Sequence, residues 1–73
     1  MNQFKVSQSP KFSEARTYAA ESAEHAAAKL AILIPLGDWA LADGTLYRLT
    51  IYAQDGAGER TEHTFIATVE VAQ

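Results

Sequence analysis

The stretch TLYRLTIYAQDGAGERTEHTFIATVEV, residues 45–71, decides the fold because its pattern predicts two strands joined by a turn. Residues 45–53 are rich in the aromatic and β-branched side chains that favour strands. Residues 54–60 contain Asp-Gly and a second glycine, which is a strong hairpin signal for a loop longer than two residues. Apolar and polar side chains alternate along residues 61–71, as in a strand with one buried face. The sequence therefore predicts a long antiparallel hairpin.

The alternation divides the side chains of this hairpin between two faces, because successive residues of a strand point to opposite sides of the sheet. Positions 47, 49 and 51 of the first strand and 65, 67 and 69 of the second are predicted to face the core. The other face then carries Arg48, Thr50, Tyr52, Thr64, Ile66 and Thr68, with Glu62 and Glu70 at its rim.

The segment before the hairpin predicts one helix, over about residues 22–33. Ser22 can accept a hydrogen bond from an unpaired amide of the first turn, and Pro35 and Gly37 end the helix. Small and apolar side chains recur at helical spacing and form a stripe predicted to face the sheet: Ala23, Ala26, Ala27, Leu30 and Ile34. The opposite side carries Glu21, Glu24, His25 and Lys29. Because the stripe is mostly alanine, the helix backbone can lie close to the sheet.

The first part of the chain predicts two more strands, at residues 2–7 and at about 12–20. Phe4 and Val6 alternate with polar neighbours, and the Ser- and Pro-containing segment around Pro10 indicates a turn. The second stretch also contains good helix formers, so an early helical turn is the alternative.

Residues 35–44, PLGDWALADG, are predicted to form a loop because of their Pro, Gly and Asp content. This loop nevertheless carries Leu36, Trp39 and Leu41. We expect Trp39 to cap one open end of the core, and the alternative is that it stacks on a ligand.

These elements predict an α+β fold in one domain spanning residues 1–73. A single helix packs on a mostly antiparallel four-stranded sheet, in the order β-β-α-β-β. The size agrees, since 73 residues suffice for one small core.

Composition limits the functional classes. The chain is 48% hydrophobic and 21% charged, which is typical of a globular protein, and its formal charge of −3 is the opposite of what phosphate binding requires. We therefore do not expect a nucleic acid as partner. The absence of cysteine excludes disulfides and thiolate metal sites. Without a membrane span or a signal peptide, the expected location is the cytoplasm.

No residue pattern indicates chemistry, so we expect no enzymatic activity, no cofactor and no metal. His25 and His63 lie 38 positions apart and lack the spacing of a metal or catalytic pair. The loop segment DGAGE contains glycines but lacks the lysine of a phosphate-binding loop, and it leads into a strand instead of a helix. Nucleophilic catalysis would need a base beside the nucleophile and a third group that orients the base, and the sequence shows no such set of residues.

The chain has two family resemblances. The order of two strands, a helix and two strands resembles the β-grasp layout of ubiquitin-like proteins, and since the sequence ends VEVAQ without Gly-Gly, the resemblance implies a binding module. The segment AAESAEHAAAKLA followed by a long hairpin is similar to small phage-encoded proteins, including anti-CRISPR inhibitors built as a helix against a curved sheet. That resemblance implies an inhibitor that blocks a host protein complex.

The functional prediction is a non-catalytic protein-interaction module that acts through the exposed face of the hairpin. Aromatic side chains and arginine are enriched in contact centres, so the predicted binding residues are Arg48, Tyr52, Ile66, Thr64 and Thr68. The partner would be another protein or a second copy of the chain. The alternatives are a phage-type inhibitor and, in a different class, a small ligand-binding or enzymatic domain with a pocket near Trp39.

Overall fold

The structure is a computed structural model that describes residues 1–43 and 46–68. In these residues an α-helix and a short 3-10 helix accompany five strands. The elements are β1 (Asn2–Ser7), β2 (Arg16–Ala20), α1 (Ala23–Ala31), a 3-10 helix (Leu36–Asp38), β3 (Ala40–Asp43), β4 (Leu46–Gln54) and β5 (Arg60–Thr68). The predicted α+β fold, with one α-helix on an antiparallel sheet, is confirmed, and the sheet has one strand more than predicted.

The sheet is organised around β4. Strand β5 pairs with β4 along its whole length, from Leu46 opposite Thr68 to Gln54 opposite Arg60. The other edge of β4 is shared, since β1 pairs with residues 52–54 and β3 with residues 46–48. Strand β2 then pairs with β1, and every pairing is antiparallel.

Strand β3 corrects the prediction of a loop over residues 35–44. Its residues ALAD carry little intrinsic preference for a strand, and they adopt one because β4 offers an unpaired edge there. The pairing shifts register between Leu41 and Asp43, which marks a bulge or irregularity. Gly44 of the predicted loop and Thr45 of the predicted third strand lie outside the described residues, as do Val69, Glu70 and Val71 of the predicted return strand.

Strand β2 begins at Arg16, so the prediction of a strand from residue 12 is wrong at its start. Phe12 and Glu14 have φ angles of 57° and 56°, which belong to the left-handed region and not to a strand. The amide of Phe12 donates to the carbonyl of Ser9 at 2.9 Å, which closes the turn predicted around Pro10.

The core lies between α1 and one face of the sheet, which we call the inner face. The predicted helix stripe is confirmed, since Ala26, Ala27 and Leu30 are buried, and Ala23 and Ile34 are half-buried at its ends. The sheet contributes Phe4, Val6, Ala20, Leu49, Ile51 and Ala53 to the same core. Alanines at the contact let α1 lie close to β4 and β1, with which it packs.

Polar contacts fix both ends of α1. Ser22 is the N-cap, as predicted, and its Oγ accepts a hydrogen bond from the amide of His25 at 3.1 Å. The helix ends at Ala31, two residues earlier than predicted, because the amides of Leu33 and Ile34 donate to carbonyls only three residues back.

In the described part of the chain, no helix has the length and apolar character needed to cross a membrane.

The burial of Ala27 gives a stability prediction. Ala27→Leu adds bulk at a position with no exposed surface, so we expect overpacking to lower the free energy of unfolding by about 1–3 kcal/mol. Urea denaturation followed by circular dichroism measures the change. His25→Leu is the control because it places the same side chain on the exposed side of α1, where we expect a change within about 0.5 kcal/mol. Equal stability of Ala27→Leu and the parent would contradict the packing of this helix.

Candidate functional site

The candidate site is on the sheet face opposite α1, which we call the outer face. The β4–β5 register places Arg48 opposite Ile66, Thr50 opposite Thr64, and Leu46 opposite Thr68. Tyr52 lies opposite Glu62 on the same face. The structure therefore brings together the side chains predicted for the second face of the hairpin, apart from Glu70, which lies outside the described residues.

Exposure differs along this face. Ile66 is 58% exposed, and Arg48, Thr64 and Thr68 are exposed around it. Thr50 and Tyr52 are half-buried. The hydroxyls of Thr50 and Thr64 lie 3.4 Å apart, so the two strands are linked by side chains as well as by their backbones. The most accessible part of the outer face is thus centred on Arg48 and Ile66.

Basic side chains outnumber acidic ones among the outer-face residues of β1, β2, β4 and the described part of β5. Strands β1, β2, β4 and β5 place three basic side chains and one acidic side chain there, namely Lys5, Arg48, Arg60 and Glu62. The chain as a whole has a formal charge of −3. The helix side carries acidic residues such as Glu21 and Glu24, both exposed. The prediction did not include Lys5 and Arg60, because the β1–β4–β5 register was needed to place them on this face.

The connection between β1 and β2 covers one end of the outer face. Ser7 is only 2% exposed, and its Oγ donates to the carbonyl of Ser13 at 2.8 Å. The guanidinium of Arg60 lies 4.4 Å from the centre of the Phe12 ring and donates to the carbonyl of Pro10 at 3.3 Å. Arg60 also donates to Oε1 of Gln54 at 3.1 Å. These contacts occupy the end near Tyr52, and none of them reaches Arg48 or Ile66 at the other end.

Trp39 packs against the core, in agreement with the prediction that it caps one end of the core. Its ring is half-buried against the core, and its Nε1 donates to the carbonyl of Ile34 at 3.1 Å. Two depressions of about 340 and 390 Å³ lie elsewhere, one beside Lys5 and Gln54 and the other beside Arg16 and Leu30, and Trp39 lines neither. The alternative of a ligand pocket at Trp39 gains no support from either depression.

Polar groups of the hairpin loop form hydrogen bonds with one another. Oδ1 of Asp55 accepts hydrogen bonds from the amides of Ala57 and Glu59, both at 2.9 Å. The loop closes through the amide of Asp55 and the carbonyl of Glu59 at 3.0 Å, and Gly58 adopts the φ of 86° that glycine tolerates. Since a carboxylate already occupies these amides, they are not free to bind a phosphate.

The two histidines lie in different settings. His25 is exposed on α1, whereas His63 is half-buried in β5, with Nε2 2.7 Å from the hydroxyl of Thr61. Within residues 1–43 and 46–68, no three His, Asp or Glu side chains are grouped so that they could hold a metal ion.

Comparison with protein-family models, with curated proteins and with solved structures finds no match for this chain. The resemblances to β-grasp domains and to phage-encoded inhibitors therefore stay predictions.

The left-handed residues of the β1–β2 connection give a prediction for the segment that borders this face. A left-handed φ costs a non-glycine residue about 1–2 kcal/mol, and glycine costs about 0.5–1 kcal/mol in unfolded-state entropy. We therefore expect Glu14→Gly to raise the free energy of unfolding by up to about 1 kcal/mol.

Ala15→Gly is the matched control, because Ala15 has no positive φ and should lose about 0.5–1 kcal/mol. Urea denaturation of both variants tests the difference. A loss of stability in Glu14→Gly equal to that in Ala15→Gly would contradict the left-handed conformation of Glu14.

Proposed function

We propose that this chain is a non-catalytic protein-interaction module and that the outer face of the β4–β5 hairpin binds its partner. The observation that carries the proposal is the exposure of Ile66 beside Arg48, on a sheet face opposite the helix. An apolar side chain next to an arginine, bordered by threonines, is the composition of a contact centre with a polar rim.

The scaffold supports this role. Ile66 and Arg48 lie directly opposite each other in paired strands, so their backbones are held before a partner arrives. Other exposed apolar residues, such as Ile32 and Leu33, follow α1 in a turn. A preorganised strand surface loses less conformational entropy on binding than a turn does. The outer face is therefore the better candidate of the two.

The charge of the outer face specifies the partner further. On β1, β4 and the described part of β5, Lys5, Arg48 and Arg60 outnumber Glu62 on this face, although the chain is acidic overall. Complementary charge guides encounter and selects partners. The partner surface should therefore present an apolar centre opposite Ile66 and carboxylates toward Arg48.

The test removes the apolar centre. Ile66→Ser should abolish capture of the partner from a lysate of the cells that make this chain, because it removes the exposed apolar side chain without touching the core. Leu41→Ser is the matched control, since Leu41 is 61% exposed against 58% for Ile66 but pairs with Tyr47, which is on the inner face. The measurement is quantitative affinity capture with mass spectrometry, after circular dichroism has shown that each variant is folded.

The double variant Tyr52→Ala, Ile66→Ser extends the test to the covered end of the outer face. Since Tyr52 is half-buried, we expect the double variant to lose the partner to the same extent as Ile66→Ser alone. A partner that Leu41→Ser loses and Ile66→Ser retains would contradict the proposal. Retention of the partner by the double variant would exclude the outer face altogether.

A further inference from the structure

The two outermost strands of the sheet differ in how their free edges are protected. Strand β2 has five residues, and Nζ of Lys29 donates to the carbonyl of Ala19 at 2.7 Å. Short edge strands and lysine contacts are devices that prevent edge-to-edge pairing. The β2 edge of the sheet is thus protected by a side chain from α1.

Strand β5 has nine residues and pairs with β4 on one side; no other strand of the described residues lies along its second edge. Its last six residues, HTFIAT, contain no lysine, proline, glycine or carboxylate. This combination of β-branched and aromatic residues with low charge is the type that pairs readily with another strand.

We propose that the free edge of β5 pairs with the β5 edge of a second copy of the chain, which joins two sheets into one across a two-fold axis. A two-fold axis perpendicular to the sheet makes the pairing antiparallel and keeps the outer faces on one side. This inference rests on the strand edge and does not depend on the proposed function of the outer face.

The register follows from the residues of β5. Pairing centred on Thr64 matches all nine residues, placing Arg60 opposite Thr68 and Glu62 opposite Ile66 of the other copy. No like charges meet in that register. Pairing centred on Glu62 would set two carboxylates opposite each other, which is destabilising. Of these two registers, charge favours the one centred on Thr64, which also pairs all the described residues of β5.

The inner-face side chains of β5 also favour pairing with a second copy of the chain. His63, Phe65 and Ala67 are half-buried, although Leu49, opposite Phe65 in β4, is buried. In the proposed register, Phe65 of each copy lies opposite His63 of the other. Aromatic cross-strand pairs stabilise antiparallel sheets, and this pair would complete the burial of Phe65.

The experiment uses the absence of cysteine from the chain. Thr64→Cys introduces a single thiol at the proposed axis, where directly opposite Cβ atoms would lie about 4.5–5.5 Å apart, close to disulfide range. We expect mild oxidation or a short bismaleimide to convert this variant to a covalent dimer. Sedimentation equilibrium of the unmodified chain should show twice the mass of a single chain as concentration rises.

Two threonines on the same sheet face are matched controls. Thr17→Cys lies on β2, at the protected edge, and Thr50→Cys lies in β4, opposite Thr64 within the chain. Neither should cross-link. Cross-linking through Thr50→Cys would indicate face-to-face association, cross-linking through Thr17→Cys would indicate pairing at the other edge, and either result in place of Thr64→Cys would overturn the proposal.

A charged variant tests the same pairing without depending on oxidation. Thr64→Lys places two ammonium groups opposite each other at the axis and should shift the dimer to monomer in sedimentation, whereas Thr17→Lys should leave the dimer intact. Circular dichroism checks that both variants are folded. A parent chain that stays monomeric at its highest soluble concentration, or a dimer that persists in Thr64→Lys, would show that β5 does not pair with itself.

Discussion

The pairing of β4 with three other strands is the constraint on which the rest of the structure depends. Strand β5 takes one edge of β4 completely, while β1 and β3 divide the other. Because Leu49, Ile51 and Ala53 of β4 also fill the centre of the core, backbone pairing and apolar burial are concentrated in the same nine residues. The position of α1 and the separation of the sheet into a packed face and an exposed face both follow from this strand.

The alanine-rich helix has a consequence for the burial of β5. Its small side chains fill the narrow space over β4 and β1, and a single such helix does not bury β5 to the same extent. Phe65 and His63 are half-buried as a result. The close approach that makes a small core efficient therefore leaves the last described strand incompletely covered.

The sequence was sufficient wherever a segment carries its own periodicity or cap. The alternation in the β4–β5 hairpin predicted which side chains share the outer face, and Ser22 with the alanine spacing predicted α1. Strand β3 could not be predicted, since ALAD becomes a strand only through the free edge of β4. The start of β2 could not be predicted from the sequence either, because the path of residues 8–15 involves a contact between Arg60 and Pro10, which are 50 positions apart. Long-range contacts of this kind leave no local signal.

The division of one β4 edge between β1 and β3 also determines how the molecule opens. The described pairings along that edge cover residues 52–54 and 46–48, so β1 and β3 are attached to β4 at separate places. A short strand attached at one end of a longer one can detach without disturbing the pairing at the other end. We therefore expect the amides that β3 shares with β4 to exchange their hydrogens with solvent faster than the amides that pair β1 with β2.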